Sequence, residues 1–470
     1  MADGHRSREG SRAALIALIV VAALGFAAAV IADWPGHFPP DGLTQLAQGR
    51  AGVFNAWHPP VLAWLLGVAD RIIPGAPLII VVQALLFFAG VAGLAAAARP
   101  GWGAAAMTGL IAASPIVLVY QGLVVKDVLF ADVALFGFAA LALATRAWER
   151  RLARGVLIAL ALAGFILAVL ARQNGVLAAG AGVLCLAAVA AAKARTGPTI
   201  RRFVIVTVAS AAVVGIGVAS AGAWFTAHGD HRPERARQWS VLALFDLAGA
   251  ARRDPTLPLP LLHARDPALE DFVRRDAARA YDPDRVDTLA GTARWGRYML
   301  KPNPLLDAQW RAMLTASPVA YLAARTEVFG RMFAPADEED CAPVLVGVDP
   351  ANPALLRAAG LAARETDKDD WDADYEDQAV HSPIFSHPAY ALIALVLLAW
   401  AGWDLRRRGR PEMIATVGLL ASALAFTASF TVISLGCDFR YLYFLDVAAM
   451  AALVQRAGRV RPPRRSPRPG

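Results

Sequence analysis

From Ala13 to Ala32 the chain runs AALIALIVVAALGFAAAVIA without a single charged side chain. About 20 apolar residues at about 1.5 Å of rise each are what a helix needs to cross a hydrocarbon layer about 30 Å thick. In lipid only a helix or a closed barrel satisfies its own backbone polar groups, and a run of this length is a helix. Comparable runs recur along a sequence that is 57% hydrophobic. Spans are expected near 13–32, 77–98, 103–121, 128–145, 155–171, 175–192, 203–224, 389–404, 413–435 and 441–456. The expected fold class is an all-α polytopic membrane protein of about ten transmembrane helices, with a juxtamembrane helix in its first outer loop and one large extracytoplasmic loop.

Charge orients these spans. The net charge of +8 suggests nucleic acid only until it is mapped: 226–388 holds about 26 acidic against about 19 basic residues, and the basic excess lies in the membrane part and tails. Four arginines fall between Arg146 and Arg154, four basic residues between Lys193 and Arg202, and four arginines between Arg406 and Arg410. All lie in connections that ten spans assign to the cytoplasm. This predicts a bacterial inner-membrane protein with both termini cytoplasmic, and no nucleic-acid partner. Arg6, Arg8 and Arg12 before the first run, with Val30-Ile31-Ala32 after it, imitate a secretory signal. The run exceeds the roughly 7 to 15 residues of a signal core, so a retained first span is expected. The expected divisions are 1–224, a membrane module with its catalytic first loop at 33–76; 225–388, the loop domain; 389–456, the last membrane helices; and 457–470, a basic cytoplasmic tail.

The opposite connections carry different residues: Asp41 with Gln45 and Gln48, Trp57-His58-Pro59-Pro60, Lys126-Asp127, Arg172-Gln173-Asn174 and Cys437-Asp438-Phe439-Arg440. Val61 to Ile73 is too short to cross, is interrupted by Asp70-Arg71, and reads as an amphipathic helix at the interface. In SPVAYLAARTEVFGRMF, Ser317 is the expected cap, Pro318 opens the helix, and Leu322, Phe329 and Phe333 line one side. Three cysteines make no disulfide framework, although a Cys341–Cys437 bond stays open. The acidic run DKDDWDADYED (367–377) lacks the glycine and spacing of a calcium loop and reads as a solvated surface. No Walker sequence, HExxH or paired CxxC occurs, which excludes ATP-driven transport, kinases and the common zinc proteases.

The order of an outward Asp after the first span, a short polar helix, His-Pro-Pro before an interfacial helix, and a span pair ending in a second outward Asp resembles the C-type integral-membrane glycosyltransferases (GT-C). The branch it is most similar to is that of the aminoarabinose transferases and protein O-mannosyltransferases. The matching text is DGLTQLAQGRAGVFNAWHPPVLAWLLG (41–67), KDVLF (126–130), ARQNG (171–175) and RYLYF (440–444). The resemblance implies a sugar donor on a polyprenyl phosphate, a glycan, lipid or protein acceptor, and catalytic carboxylates at Asp41 and Asp127. The chain departs from the commonest pattern in having Gly42 where a Glu usually follows the first-loop Asp.

The chemistry of such a transfer asks for the same residue types. A hydroxyl attacking the anomeric carbon with inversion must lose a proton, and a carboxylate such as Asp41 can take it. The departing phosphate needs fixed positive charge, for which Lys126, Arg172 and Arg440 are candidates, with His58 and Gln45 as further donor-site residues. No cofactor is required, and a divalent metal is left open. Plainer readings stand beside these. Asp41 suits a helix N-cap, Asp127 a partner for Lys126 or a cap, Arg172 and Arg440 interfacial snorkelling, and His58 packing. Asp132 and Asp446, inside spans, need polar partners that the sequence does not reveal. The rival functions are a polysaccharide polymerase or ligase using a diphosphate-linked donor, a secondary transporter, and a non-enzymatic scaffold.

Overall fold

A computed structural model describes residues 2–55, 57–194, 199–228, 232–335, 341–343, 345–348, 353–364 and 366–459. The basic tail expected at 457–470 lies outside the described residues beyond 459. Among the described residues eight helices are long and apolar enough to cross a membrane, or nine if one bent pair counts as a single span. In chain order the first ten helices are α1 (Ala2–Asp33), α2 (Pro40–Ala51), α3 (Val61–Asp70), α4 (Pro77–Ala97), α5 (Trp102–Ala112), α6 (Pro115–Gly122), α7 (Lys126–Arg146), α8 (Arg151–Ala171), α9 (Val176–Ala192) and α10 (Thr199–Ala227). The loop carries α11 (Arg232–Arg253), α12 (Pro304–Ala316), α13 (Pro318–Phe333) and α14 (Asp367–Val380) among shorter pieces. It is followed by α15 (His387–Arg408), α16 (Met413–Ile433) and α17 (Tyr443–Ala457). The chain is a multi-pass, all-α membrane protein.

Two of the expected spans are irregular. The one near 103–121 is broken into α5 and α6, which meet at 64°. Pro115 stands at the first turn of α6, where its missing N–H and fixed φ start a helix but cannot continue one. The one near 441–456 opens as a 3₁₀ turn, Phe439–Leu442, and becomes the short and almost wholly buried α17.

The centre of the bundle is α7, whose side chains are buried nearly all round. It packs against α4, α8, α16 and α17. Small residues permit this closeness: a Cβ on Gly164 of α8 would stand 2.9 Å from the Val133 carbonyl oxygen of α7. At the periphery, α10 buries only Ser210, Val214 and Phe225. Its remaining apolar surface suits lipid rather than protein.

At one face of the bundle α2 and α3 cross almost in backbone contact. A Cβ on Gly49 would fall 2.3 Å from the Ala63 oxygen, and one on Gly67 would fall 2.4 Å from the Gly49 oxygen. The crossing is locked by Arg50, whose Nε and Nη2 donate to the Asp70 carboxylate at 2.9 and 2.6 Å. Leu62, Ala63 and Leu66 of α3 are fully buried beneath it. The charged residue that interrupts the apolar run is thus the anchor of the helix.

The loop contains a hydrophobic core of its own, with Leu244, Phe245, Phe272, Met299, Leu306, Met313 and Val328 at its centre. Within it Arg325 and Asp246 form a buried ion pair at 2.7 Å, and Trp310 Nε1 donates to Asp246 at 2.7 Å. This corrects the reading of α13. Its buried face is Ala324, Arg325, Val328 and Met332, whereas Leu322 is exposed, and Ser317 makes no capping bond. An arginine with a buried carboxylate partner faces inward, and the apolar pattern alone does not reveal that. The later part of the loop joins the membrane core through Val348, Leu356, Ala359 and Phe385. A disulfide joins Cys341 to Cys437, with Cα atoms 5.3 Å apart, so the open alternative for these cysteines is the one realised. Cys185 is free and buried.

Candidate active site

Pro39 and Pro40 begin α2, and Asp41 sits in its first turn. The N-cap residue is Pro39 and no side chain caps the helix, so Asp41 is not spent on the helix terminus. Its carboxylate points across the chain instead. Arg440 Nη2 donates to Asp41 Oδ2 at 2.8 Å, and His58 Nε2 lies 3.5 Å from Asp41 Oδ1. Arg440 is presented by the 3₁₀ turn that precedes α17.

Lys126 and Asp127 occupy the first turn of α7, where the helix dipole favours a carboxylate. They do not pair with each other. Asp127 pairs with Arg172 and lies 3.8 Å from Arg440 Nε. Lys126 Nζ donates to His58 Nδ1 at 2.8 Å. Arg172 stands between α8 and the 3₁₀ turn Gln173–Gly175 and is nine-tenths buried, not snorkelling. Its guanidinium lies over the rings of Tyr441, Phe430 and Phe426 at 5.1, 5.2 and 5.8 Å. The structure therefore brings Asp41, Asp127, His58, Lys126, Arg172 and Arg440 into one network. Gln45 is not in it: its Nε2 donates to the Pro59 carbonyl at 3.5 Å, which fixes the chain beside His58.

Two participants were not singled out in the sequence. Asp438 accepts from Arg440 Nε at 2.7 Å, and Tyr441 roofs Arg172. The signal for Asp438 was present: an acid two residues from an arginine in a short connection is placed to orient it.

The electrostatics divide the labour. Asp127 is fully buried between guanidinium groups, while the Asp41 side chain keeps 30% of its surface exposed. Burial pushes the Asp41 carboxyl up, but Arg440, Lys126 and His58 outweigh it and hold it well below the usual carboxylate range. Burial pushes the His58 imidazole down, Lys126 pushes it further, and it sits at about 3. His58 is therefore neutral at pH 7, with Nδ1 accepting from the ammonium and Nε2–H turned toward Asp41. Burial opposes the Arg440 charge, but Asp438 and Asp41 outweigh burial and raise its pKa above the usual guanidinium value. Burial raises the Asp438 carboxyl, with Arg440 opposing.

Among the described residues Lys126 is held by no carboxylate, and Arg440 Nη1 is buried without a hydrogen-bond partner. These donors suit an anion. A divalent cation finds little here, because Asp41, Asp127 and Asp438 each already face a guanidinium. A cleft of about 760 Å³ lies at the opposite end of α8, lined in part by Trp148, Arg154, Arg201 and Ile205, and holds none of the six site residues.

The two carboxylates inside the spans near 128–145 and 441–456 have polar neighbours. Asp132 accepts from Gln121 at 3.4 Å, and Asp446 lies 3.0 Å from His387 Nδ1, whose Nε2 faces the Phe439 carbonyl at 3.1 Å. The acidic run departs from the solvated surface expected of it. It folds into α14, and Asp369, Asp372 and Glu376 are buried along one face of that helix.

No protein-family model matches the chain, and no curated protein matches it. Among solved structures it is similar to the oligosaccharyltransferase AglB of Archaeoglobus fulgidus, with a TM-score of 0.41 and 14% identity over 94% of this chain and 50% of that one. It is also similar to ArnT of Cupriavidus metallidurans in the apo state, with a TM-score of 0.34 and 16% identity over 93% of this chain and 77% of that one. For ArnT bound to undecaprenyl phosphate the values are 0.34 and 13% over 94% and 77%. The chain spans about half the length of the oligosaccharyltransferase.

Proposed function

We propose that the protein transfers a sugar, with inversion, from a polyprenyl-phosphate donor to an acceptor hydroxyl at the membrane face that carries Asp41. The observation that carries this reading is the network itself: carboxylates from the first 130 residues meet Arg172 and Arg440 at a single place, with Lys126 and Arg440 Nη1 left to receive an anion.

In the reaction the acceptor oxygen bonds to the anomeric carbon while the bond from that carbon to the phosphate oxygen breaks, and the acceptor proton passes to Asp41. The phosphate leaves as an anion on Lys126 and Arg440, donors that are positioned before the reaction and need no reorganisation. A carboxylate held strongly acidic is a poor base, and the donor itself corrects this. As phosphate oxygens take up guanidinium donors of Arg440, they weaken the hold of Arg440 on Asp41 and raise its basicity. Asp127 keeps Arg172 and Arg440 facing the same point. His58 orients Lys126 through Nδ1.

The site face is proposed to be the outer one. The Cys341–Cys437 bond lies on it, three residues from Arg440, and such bonds persist in oxidising compartments. The arginine clusters at Arg150–Arg154 and Arg406–Arg410 flank the opposite ends of α8 and α15. In the bacterial inner membrane this puts the chemistry toward the cell envelope.

The test is binding of a short-chain polyprenyl monophosphate to the purified protein in lipid nanodiscs. Binding that weakens at least 10-fold in Lys126→Met supports the reading. Equal binding by wild type and variant, or binding of the diphosphate alone, rejects it, and the latter favours a polymerase or ligase.

A further inference from the structure

A second group of ionisable side chains lies beside the first loop and takes no part in the proposed transfer. Asp33 ends α1, and His37 follows it just before Phe38 and the two prolines of α2. Asp372 and Glu376 come from the loop helix α14, four residues apart and so on one face. All four are at least nine-tenths buried, with exposures of 2% for Asp33, 1% for His37, 5% for Asp372 and 1% for Glu376. The ligand atoms of Asp33, His37 and Asp372 all lie within 4.8 Å of one another.

Each of the four ends in a buried atom that makes no hydrogen bond, although His37 Nε2 lies 3.5 Å from Asp33 Oδ1. Asp33 Oδ2, His37 Nε2, Asp372 Oδ2 and Glu376 Oε2 are all buried without a hydrogen-bond partner. Buried polar atoms are ordinarily satisfied, and four orphans in one cluster call for a ligand. The neighbouring cations are committed elsewhere. Lys368 donates to the carbonyls of Ile31 and Trp34 at 3.1 and 2.9 Å, and Arg364 donates to the Gly36 carbonyl at 2.8 Å and lies 3.7 Å from Asp369. Three carboxylates are therefore packed together, with Lys368 near Asp33 and Asp372 but hydrogen-bonded to backbone carbonyls instead.

We propose that Asp33, His37, Asp372 and Glu376 bind a divalent transition-metal ion of the zinc or manganese class, which pins α14 of the loop to the segment leading into Asp41. One imidazole nitrogen with carboxylate oxygens suits these ions, whereas Ca²⁺ takes six to eight oxygens and Mg²⁺ keeps its waters. Tetrahedral ligands about 2.0–2.1 Å from zinc stand about 3.3 Å apart, so the observed spacing closes with small side-chain movements. His37 Nδ1 now accepts from the Gly347 N–H at 2.8 Å, which leaves the ring proton on Nε2. On loading the ion takes Nε2, the single ring proton shifts to Nδ1, 3.6 Å from Asp369 Oδ1, and the bond from the Gly347 N–H is given up. A carboxylate behind a metal-bound histidine is the usual supporting partner. The imidazole keeps its one proton, and a proton is released only for a carboxyl that was protonated.

The test uses the full-length protein, tag removed, in nanodiscs. After chelator treatment it is titrated with ZnCl₂ or MnCl₂ while thermal unfolding is followed by tryptophan fluorescence, and bound metal is counted by mass spectrometry. The expected result is about one ion per chain and a rise in Tm on loading. Asp372→Asn with Glu376→Gln should bind at least 10-fold more weakly, yet melt no lower than wild type without metal, since it removes like charges that face each other. That crossed effect separates ligation from a structural role. Asp41→Asn should bind the ion as wild type does. X-ray absorption of the zinc-loaded wild type should show nitrogen and oxygen neighbours without sulfur, a reading that no variant's folding affects. The proposal is overturned by no ion and no shift in wild type, by stabilisation from Mg²⁺ or Ca²⁺ alone, by a shift that persists in the double variant, or by loss of binding in Asp41→Asn.

Discussion

Arg440 donates to Asp41 at 2.8 Å across 399 residues of sequence, joining the last connection between membrane helices to the first. The bond closes the site, because the same guanidinium also reaches Asp438 and Asp127. Asp41→Asn keeps the shape and loses the charge. Turnover in a donor-consumption assay should fall by about 10²- to 10⁴-fold, the usual worth of a positioned general base, with expression and Tm near those of wild type. Unchanged turnover would remove Asp41 from the chemistry.

The acid side of the pH profile follows from the directions of the shifts. The pKa of Asp41 is depressed, so its ionised form, and the stability its ion pair contributes, are present above the ordinary carboxylate pKa and lost only as pH falls below it. His58, at about 3, is neutral throughout. The kcat/KM profile of the free enzyme should therefore be flat between about pH 5 and pH 8 with respect to both groups. Removing the guanidinium in Arg440→Gln leaves burial less opposed, so a limb should move upward toward that window. Titration of the His58 imidazole itself near pH 6.5 in the wild type would contradict its assignment.

The cysteines make a count that can be read on a gel. In denatured, unreduced protein one thiol should label, that of Cys185, and after reduction all three of the chain's cysteines should label. Three labelled thiols before reduction in protein from an oxidising compartment would contradict the Cys341–Cys437 bond.

His387 holds both Asp446 and the carbonyl of Phe439, the residue before Arg440. Leaving Asp446 buried without its partner should make His387→Ala less stable by about 3–5 kcal/mol, measured by thermal or denaturant unfolding. Donor affinity should fall with it, because the turn carrying Arg440 loses its anchor. A variant as stable as wild type would show that the pair does not support the turn.

Much of this architecture was legible in the sequence, for physical reasons that also mark where legibility ends. Uncharged runs such as Ala13–Ala32 announce membrane helices because lipid demands length and apolarity and little else. The site residues stood out because charge at span ends is costly without use. Their pairing did not: nothing local in Asp127 selects Arg172 over the adjacent Lys126, a choice made by how α7 and α8 pack. Asp438 was passed over although it lies beside Arg440, and Gln45, read as a donor-site residue, turns its amide to the backbone of Pro59. The acidic stretch of α14 misled because carboxylates are usually read as solvent-facing. Its buried members Asp369, Asp372 and Glu376 recur at the three- and four-residue spacing of a helix face.

The most direct measurement is electron cryo-microscopy of the protein in a nanodisc with a polyprenyl monophosphate. The account expects phosphate density within hydrogen-bond distance of Lys126 Nζ and Arg440 Nη1, with Asp41 beside it on the water side. Phosphate density in the cleft of Trp148, Arg154 and Arg201 at the other end of α8, with the Asp41 network empty, would contradict it.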